Sequence, residues 1–177
     1  MIYIACIAVL FAITTWVGLR NTKIDSRDTL SKHVGRNAQS VVVTRICFPV
    51  IGVLLMLWFF ADYNAAHALP IDVVAGMILF AITIVIQGLF PYGQHKKWDH
   101  IHGFSAWSAA CIGPILLLRF AWITPGSIQP ALFACGWISV GILLTLFAIP
   151  PARKYALFLQ LSMVAISGLC FSLLAVQ

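Results

Sequence analysis

A dense group of side chains able to bind a metal ion lies between Gln94 and His102, in the sequence QHKKWDHIH. Histidine nitrogens and carboxylate oxygens are zinc ligands, and a zinc-bound water can attack an ester or an amide. One hypothesis is therefore a metal-dependent membrane hydrolase with zinc as its cofactor. Its candidate ligands are His95, Asp99, His100 and His102.

The spacing of the histidines argues against that zinc site. His100 and His102 are two positions apart, so on an α-helix their side chains diverge by about 200° and cannot hold one ion together. They converge only if His100 precedes the helix and His95 and Asp99 form an ordered turn. A hydrated basic loop is the simpler interpretation, and we favour no cofactor.

Two further functions are disfavoured by the positions of the ionisable residues. A haem-binding redox subunit that used His102 as an axial ligand would need a second histidine at the same depth. His33 falls in a polar loop and His67 at the other side of the membrane, so neither fits. Transport is disfavoured because no ionisable residue lies near mid-membrane and no inverted repeat is evident.

Cationic, amide and phenol groups near the same stretch suit an anionic lipid headgroup better than they suit a metal. We therefore expect a non-enzymatic protein that binds a lipid or another membrane subunit, a homo-oligomer included. The candidate pocket is formed by Arg45, Gln87, Tyr92, Asp99, His100 and His102.

The elements that must position these residues are transmembrane helices. The chain has 177 residues, 62% hydrophobic and 9% charged, whereas soluble domains carry about 25% charged residues. Crossing the hydrocarbon core takes about 20 apolar residues. Six segments qualify, and they predict an all-α six-helix bundle in a single domain: 2–19, 42–61, 71–90, 101–123, 129–149 and 155–176.

The positive charges predict the orientation of the bundle in a cell membrane. If the six segments alternate, ten of the eleven basic residues lie on one side, and Arg119 lies toward the other. The positive-inside rule then places the basic loops in the cytoplasm and both termini outside. The net charge of +6 follows from this topology, so no nucleic-acid partner is expected. The ten residues are Arg20, Lys23, Arg27, Lys32, Arg36, Arg45, Lys96, Lys97, Arg153 and Lys154.

The polar loop 20–41 is expected to be partly an interfacial helix. Leu30, Val34, Ala38 and Val41 recur at helical spacing, as on a helix that lies at the membrane surface. Ser26 or Asp28 is the expected N-cap. His33 falls on the polar side of this helix, which predicts a solvated histidine.

Two features of the fourth segment predict how it packs. Gly103, Ala106, Ala110 and Gly113 form a small-residue stripe, which predicts a helix inside the bundle. Near the other end of that segment we expect Arg119 to form a structural ion pair with Asp72 or Asp62, because these aspartates border neighbouring helices at the same level.

The segments IQGLFPYG and HIHGFSAW resemble those of a bacterial family of six-helix integral membrane proteins of uncharacterised activity. Members pair a G-x-F-P end of the third helix with an I-H-G start of the fourth, and are distantly like the eukaryotic Frag, DRAM and Sfk membrane proteins. The resemblance implies a six-helix fold and, by analogy, a lipid-handling or regulatory function. The matching residues are Gly88, Phe90, Pro91, His102 and Gly103.

Overall fold

The computed structural model describes residues 1–20 and 24–176, and these residues form helices and turns without a β-strand. Lys23, which was counted with the basic loops, lies outside the described residues. A π-helical turn, Trp58–Tyr63, joins α3 to α4, and a 3-10 turn, Pro150–Tyr155, precedes α8. The helices are α1 Ile2–Arg20, α2 Leu30–Gly35, α3 Ala38–Leu57, α4 Asn64–His67, α5 Ile71–Leu89, α6 Lys96–Ile123, α7 Gln129–Ala148 and α8 Ala156–Ala175.

Six helical stretches in the described residues are long and apolar enough to cross a membrane. The second of them is continuous from Ala38 to His67, because the π-helical turn and α4 prolong α3. The expected all-α, six-helix membrane fold is therefore confirmed, and the chain is a multi-pass membrane protein. We call the end that holds residues 24–37, 90–95 and 149–155 the basic end, and the other the opposite end.

Two helices begin earlier than the apolar segments predicted. The Asn37 side chain accepts a hydrogen bond from the Gln39 N–H at 2.9 Å and caps α3. The helix therefore starts at Ala38, four residues before the expected start at position 42. His95 caps α6 in the same way, with 3.2 Å between its Nδ1 and the Lys97 nitrogen. The polar stretch around Asp99 is consequently the first turns of a long helix and not a loop.

Close approaches between helices occur at glycines outside the predicted small-residue stripe. A side chain at Gly88 would overlap the Pro49 ring, so α3 and α5 touch there. At Gly136 a Cβ would lie 3.3 Å from the backbone nitrogen of Leu118, which brings α7 close to α6. By contrast, no described residue approaches within 4 Å of a Cβ placed at Gly103. The helix α6 packs chiefly between α5 and α7.

Aromatic side chains fill the core at the opposite end. Trp58 and Phe59 are adjacent in sequence and both almost completely buried, which the wider π-helical turn allows. The Trp58 ring meets Phe171 edge-on at 5.8 Å between centroids, and Tyr63 meets Phe120 similarly at 5.6 Å. This core ties the end of α3 and its π-helical turn to α6 and α8.

Candidate functional site

The linker before α3, residues 24–37, folds into a compact cap that contains the short helix α2. Thr29 is its N-cap, with 3.4 Å between its Oγ1 and the Lys32 nitrogen, so the expectation of Ser26 or Asp28 in that role is wrong. Asp28 forms ion pairs with Lys32, at 3.3 Å, and with Arg36. Burial acts to raise the pKa of Asp28, but the two cations hold it below its usual value.

His33 lies inside this linker and is fully buried. Its Nδ1 is 3.0 Å from the Thr29 carbonyl oxygen, and its Nε2 accepts a hydrogen bond from the Asp25 N–H at 3.1 Å. Both ring nitrogens therefore stabilise the chain turn around α2. The expectation of a solvated His33 is wrong, because residues 24–29 fold back over the ring.

The linker is also bound to the helices of the bundle. The Leu30 N–H donates to Oε1 of Gln160 at 3.0 Å, and the Leu157 N–H donates to the Ser26 carbonyl at 3.2 Å. Gly35 lies so close to the Tyr92 carbonyl oxygen that any side chain there would overlap it. These contacts hold the linker across the basic end, against α8 and the turn between α5 and α6.

His102 joins three parts of the basic end through one imidazole. Its Nδ1 faces the carbonyl oxygens of Phe90, at 3.1 Å, and Gln87, at 3.3 Å, while its Nε2 lies 2.8 Å from the Ser31 hydroxyl. Carbonyl oxygens only accept, so Nδ1 carries the hydrogen and Nε2 accepts from Ser31. The ring is 4% exposed and has no free nitrogen. His102 is consequently a structural residue that fixes the linker to the end of α5.

The remaining members of the predicted pocket divide into bonded and exposed groups. Asp99 Oδ1 accepts a hydrogen bond from the Gly93 N–H at 2.6 Å, in the turn where Gly93 has φ +83°. Tyr92 meets the His102 ring edge-on at 6.1 Å between centroids. Gln87 contributes its backbone carbonyl, and His100 is exposed on α6. The structure therefore gives these residues different local partners at the basic end, and a shared pocket stays a prediction.

Arg45 is the cation of this group that remains available to a ligand. Its side chain is exposed, and its guanidinium lies over the Trp98 ring, 5.2 Å from the ring centroid. Trp98 in turn meets Phe90 edge-on at 5.9 Å. Within residues 1–20 and 24–176, no carboxylate forms an ion pair with Arg45. The cation–π contact therefore holds the guanidinium over the face of the ring.

The four candidate zinc ligands do not converge. No three His, Cys, Asp or Glu side chains in the described part of the chain are grouped so as to hold a metal ion. His95 caps α6, Asp99 binds Gly93, and both nitrogens of His102 are hydrogen-bonded. Because His100 lies on α6 itself, it points away from His102, as helical spacing requires.

The expected ion pair at the opposite end is present. The Arg119 Nε donates to Oδ2 of Asp72 at 2.7 Å and joins α6 to α5. Asp62, the other candidate partner, is exposed and lies in the π-helical turn. Both members of the pair are partly exposed, so the pair is a surface contact between two helices.

Three residues of the basic end were not singled out from the sequence. Ser31 belongs to no sequence motif, and His102, its hydrogen-bond partner, lies 71 residues further along the chain. Trp98 was assigned to a loop, although an amphipathic ring beside basic residues is typical of a membrane interface. Gly35 lies in close contact with the Tyr92 carbonyl, a contact that only the fold reveals.

The residues that carry the family resemblance have packing roles in this structure. Gly88 touches Pro49, Pro91 is buried, and the Phe90 carbonyl accepts a hydrogen bond from His102. The resemblance to the family is carried by these residues and stays a prediction.

Comparisons of the chain with protein-family models, with curated proteins and with solved structures found no match.

Proposed function

We propose that this chain is a non-enzymatic protein of the cell membrane that binds an anionic phospholipid at its basic end, with the lipid phosphate on Arg45. The observation that carries the proposal is the position of the Arg45 guanidinium, exposed over the Trp98 ring and without a carboxylate partner in the described residues. A fixed guanidinium can donate two parallel hydrogen bonds to a phosphate.

The surroundings of Arg45 favour an anion at the membrane surface. Lys96 and Lys97 are exposed in the first turn of α6, next to Trp98 in sequence. The amino end of that helix adds a partial positive charge, which favours phosphate. A tryptophan ring belongs at the depth of lipid headgroups. The implied likeness to lipid-related membrane families agrees with this proposal by analogy alone.

The proposal includes the orientation of the bundle. The concentration of basic residues supports a basic end in the cytoplasm, where anionic lipids attract it, and both termini outside. In a variant without the five native cysteines, Lys97→Cys should resist a membrane-impermeant maleimide in intact cells. Ser127→Cys, exposed between α6 and α7, should react. Reaction of Lys97→Cys from outside would reverse the orientation.

Lipid binding is tested by native mass spectrometry of the delipidated protein with long-chain phosphatidylglycerol and, separately, phosphatidylcholine. The wild type should bind phosphatidylglycerol more tightly. Arg45→Gln should lose about tenfold or more in that affinity, since a hydrogen bond to a charged group contributes about 1.5–3 kcal/mol. Inorganic phosphate at the same concentration should not compete, because it lacks the acyl chains.

The matched control for charge is Arg153→Gln. Arg153 is also exposed at the basic end, and its Nε donates to the Leu146 carbonyl at 3.4 Å. It should retain wild-type affinity, because no aromatic ring of the described residues stacks on its guanidinium and holds it for a phosphate. Equal losses in the two variants would mean that net charge alone attracts the lipid, and the Arg45 site would be wrong.

A further inference from the structure

An apolar groove runs along the surface between α3 and α5. One wall is formed by Val53, Met56 and Phe60, and the other by Ala81, Ile82 and Val85. Val53 is 55% exposed and Ile82 is 46% exposed. Since these helices cross a membrane, the groove faces hydrocarbon and not water.

The floor of the groove depends on Gly52. A Cβ at Gly52 would lie 3.0 Å from the Ala81 carbonyl oxygen, closer than ordinary packing allows. The absence of a side chain lets α3 and α5 approach each other, so that the larger side chains on either side rise as walls. The groove is therefore a feature of the helix–helix contact itself.

The groove lies on the same face of α3 as Arg45. Positions seven and eleven residues apart on an α-helix differ in direction by only about 20° each time, and Gly52 and Met56 follow Arg45 at these distances. Arg45 is thus about 10 Å from Gly52 along the axis, at 1.5 Å per residue. Arg45 therefore lies beyond the basic-end limit of the groove, which is Gly52 on α3, and on the same side of that helix.

Along the axis of α3, the groove begins about 10 Å from Arg45 and ends about 24 Å from it. From Gly52 to Ala61, its limits on α3, the helix rises about 14 Å. The hydrocarbon core of a membrane is about 30 Å thick, so one leaflet is about 15 Å. An acyl chain that starts at headgroup depth beside Arg45 and follows α3 therefore enters the groove at Gly52 and lies against Val53 and Met56, the part of the wall nearest the basic end.

We infer that this groove is the acyl-chain site of the phospholipid whose phosphate binds Arg45, an inference that rests on the proposed function. The ligand is then a membrane-embedded anionic diacyl lipid, recognised by its phosphate at one end and by one chain along α3 and α5. Wild-type affinity should rise with acyl-chain length.

The test fills the groove without touching the helix contact. A double variant, Val53→Phe with Ile82→Phe, adds bulk at two exposed wall positions. Its matched control, Val9→Phe with Leu144→Phe, makes the same change at exposed apolar positions of α1 and α7, 58% and 59% exposed. Affinities for dibutyryl and for dipalmitoyl phosphatidylglycerol are measured by native mass spectrometry on both variants, on Arg45→Gln and on the wild type.

The filled variant should bind the dipalmitoyl lipid about tenfold more weakly than the control and should bind the dibutyryl lipid equally well. Arg45→Gln should bind both lipids more weakly. Equal dipalmitoyl affinity in the filled variant and the control overturns the groove site while leaving the Arg45 site intact. A loss in the filled variant without any loss in Arg45→Gln overturns the proposed function, and the pairing of chain and headgroup with it.

A measurement on the wild type covers the case in which the filled variant does not fold. Phosphatidylglycerol with a diazirine in its acyl chain is photolysed in complex with the unmodified protein, and the labelled peptides are identified. Labels concentrated on Val53–Phe60 and Ala81–Val85 support the groove. Labels spread evenly over the apolar surfaces of α1, α7 and α8 overturn it.

Discussion

The Ser31 hydroxyl donates a hydrogen bond to Nε2 of His102 across 2.8 Å, and so joins the linker to the first turns of α6. The same ring is held from its other nitrogen by the carbonyl oxygens of Gln87 and Phe90. One buried imidazole on α6 therefore links α2 and α5 to that helix through hydrogen bonds. The polar groups around His102 therefore bind one another and stabilise a closed end of the bundle, whereas the lipid site that we propose lies nearby, at Arg45.

Replacing Ser31 by alanine should destabilise the folded protein. The change leaves Nε2 of His102 buried and unpaired, which costs about 1–3 kcal/mol in free energy of unfolding. Unfolding by SDS titration measures this loss. The control is Ser162→Ala, whose exposed hydroxyl bonds only to the Phe158 carbonyl of its own helix. Equal SDS unfolding midpoints for Ser31→Ala and Ser162→Ala would show that the Ser31–His102 hydrogen bond contributes nothing to stability.

Gly35→Ala should loosen the linker. A methyl group at Gly35 would overlap the Tyr92 carbonyl oxygen, and overpacking of this kind costs about 1–3 kcal/mol. Hydrogen exchange of the amides in residues 24–37 should therefore become faster. In Gly141→Ala the new methyl group meets no described residue within 4 Å, so the control should be unchanged or slightly more stable, since alanine favours a helix. Unchanged exchange in Gly35→Ala would contradict the contact.

The membrane fold was predictable from the sequence because hydropathy and length alone determine where a chain crosses a bilayer. The Arg119–Asp72 pair was predictable for a related reason, since two opposite charges at one depth have few other partners. Helix starts were less predictable: polar residues such as Lys96 extend a helix beyond the apolar segment when a cap such as His95 is present.

The arrangement of the basic end was not predictable, because it depends on contacts between distant segments. His33 and His102 look alike in the sequence, as histidines near basic residues, and both are buried by the fold of the linker. A pattern within one helix cannot reveal that residues 24–37 return to cover α5 and α6. The π-helical turn at Trp58 likewise reflects aromatic packing between helices and leaves no local signal.

Asp28 should make the stability of the linker depend on pH. Burial acts to raise the pKa of Asp28, but Lys32 and Arg36 lower it in the folded protein. The contribution of Asp28 to the stability of the linker is therefore present above the pKa of the unfolded chain, about 3.9. It is lost as the pH falls through the lower folded value. This contribution is measured by comparing amide hydrogen exchange of residues 24–37 in the wild type and in Asp28→Asn, with both rates corrected for intrinsic exchange.

The two proteins should differ at neutral pH. The difference should shrink as the pH falls below about 3.9 and vanish below the lower folded pKa of Asp28, where the wild-type carboxylate becomes protonated. High salt should also reduce the difference, because Lys32 and Arg36 are both exposed enough for their charges to be screened. A difference that persists at low pH would mean that Asp28 acts through packing and not through its charge.

Reversal of charges should show whether Arg119 and Asp72 stabilise the contact between α5 and α6. Arg119→Asp or Asp72→Arg alone places like charges within one contact and should lower the SDS unfolding midpoint. The double variant with both changes should regain most of the loss, because the opposite charges meet again across the same distance. The effect should be small and salt-dependent, since both side chains are partly exposed. The control combines Arg119→Asp with Asp62→Arg, which should regain nothing, because Asp62 lies apart in the π-helical turn. Recovery in that control instead would reassign the partner of Arg119.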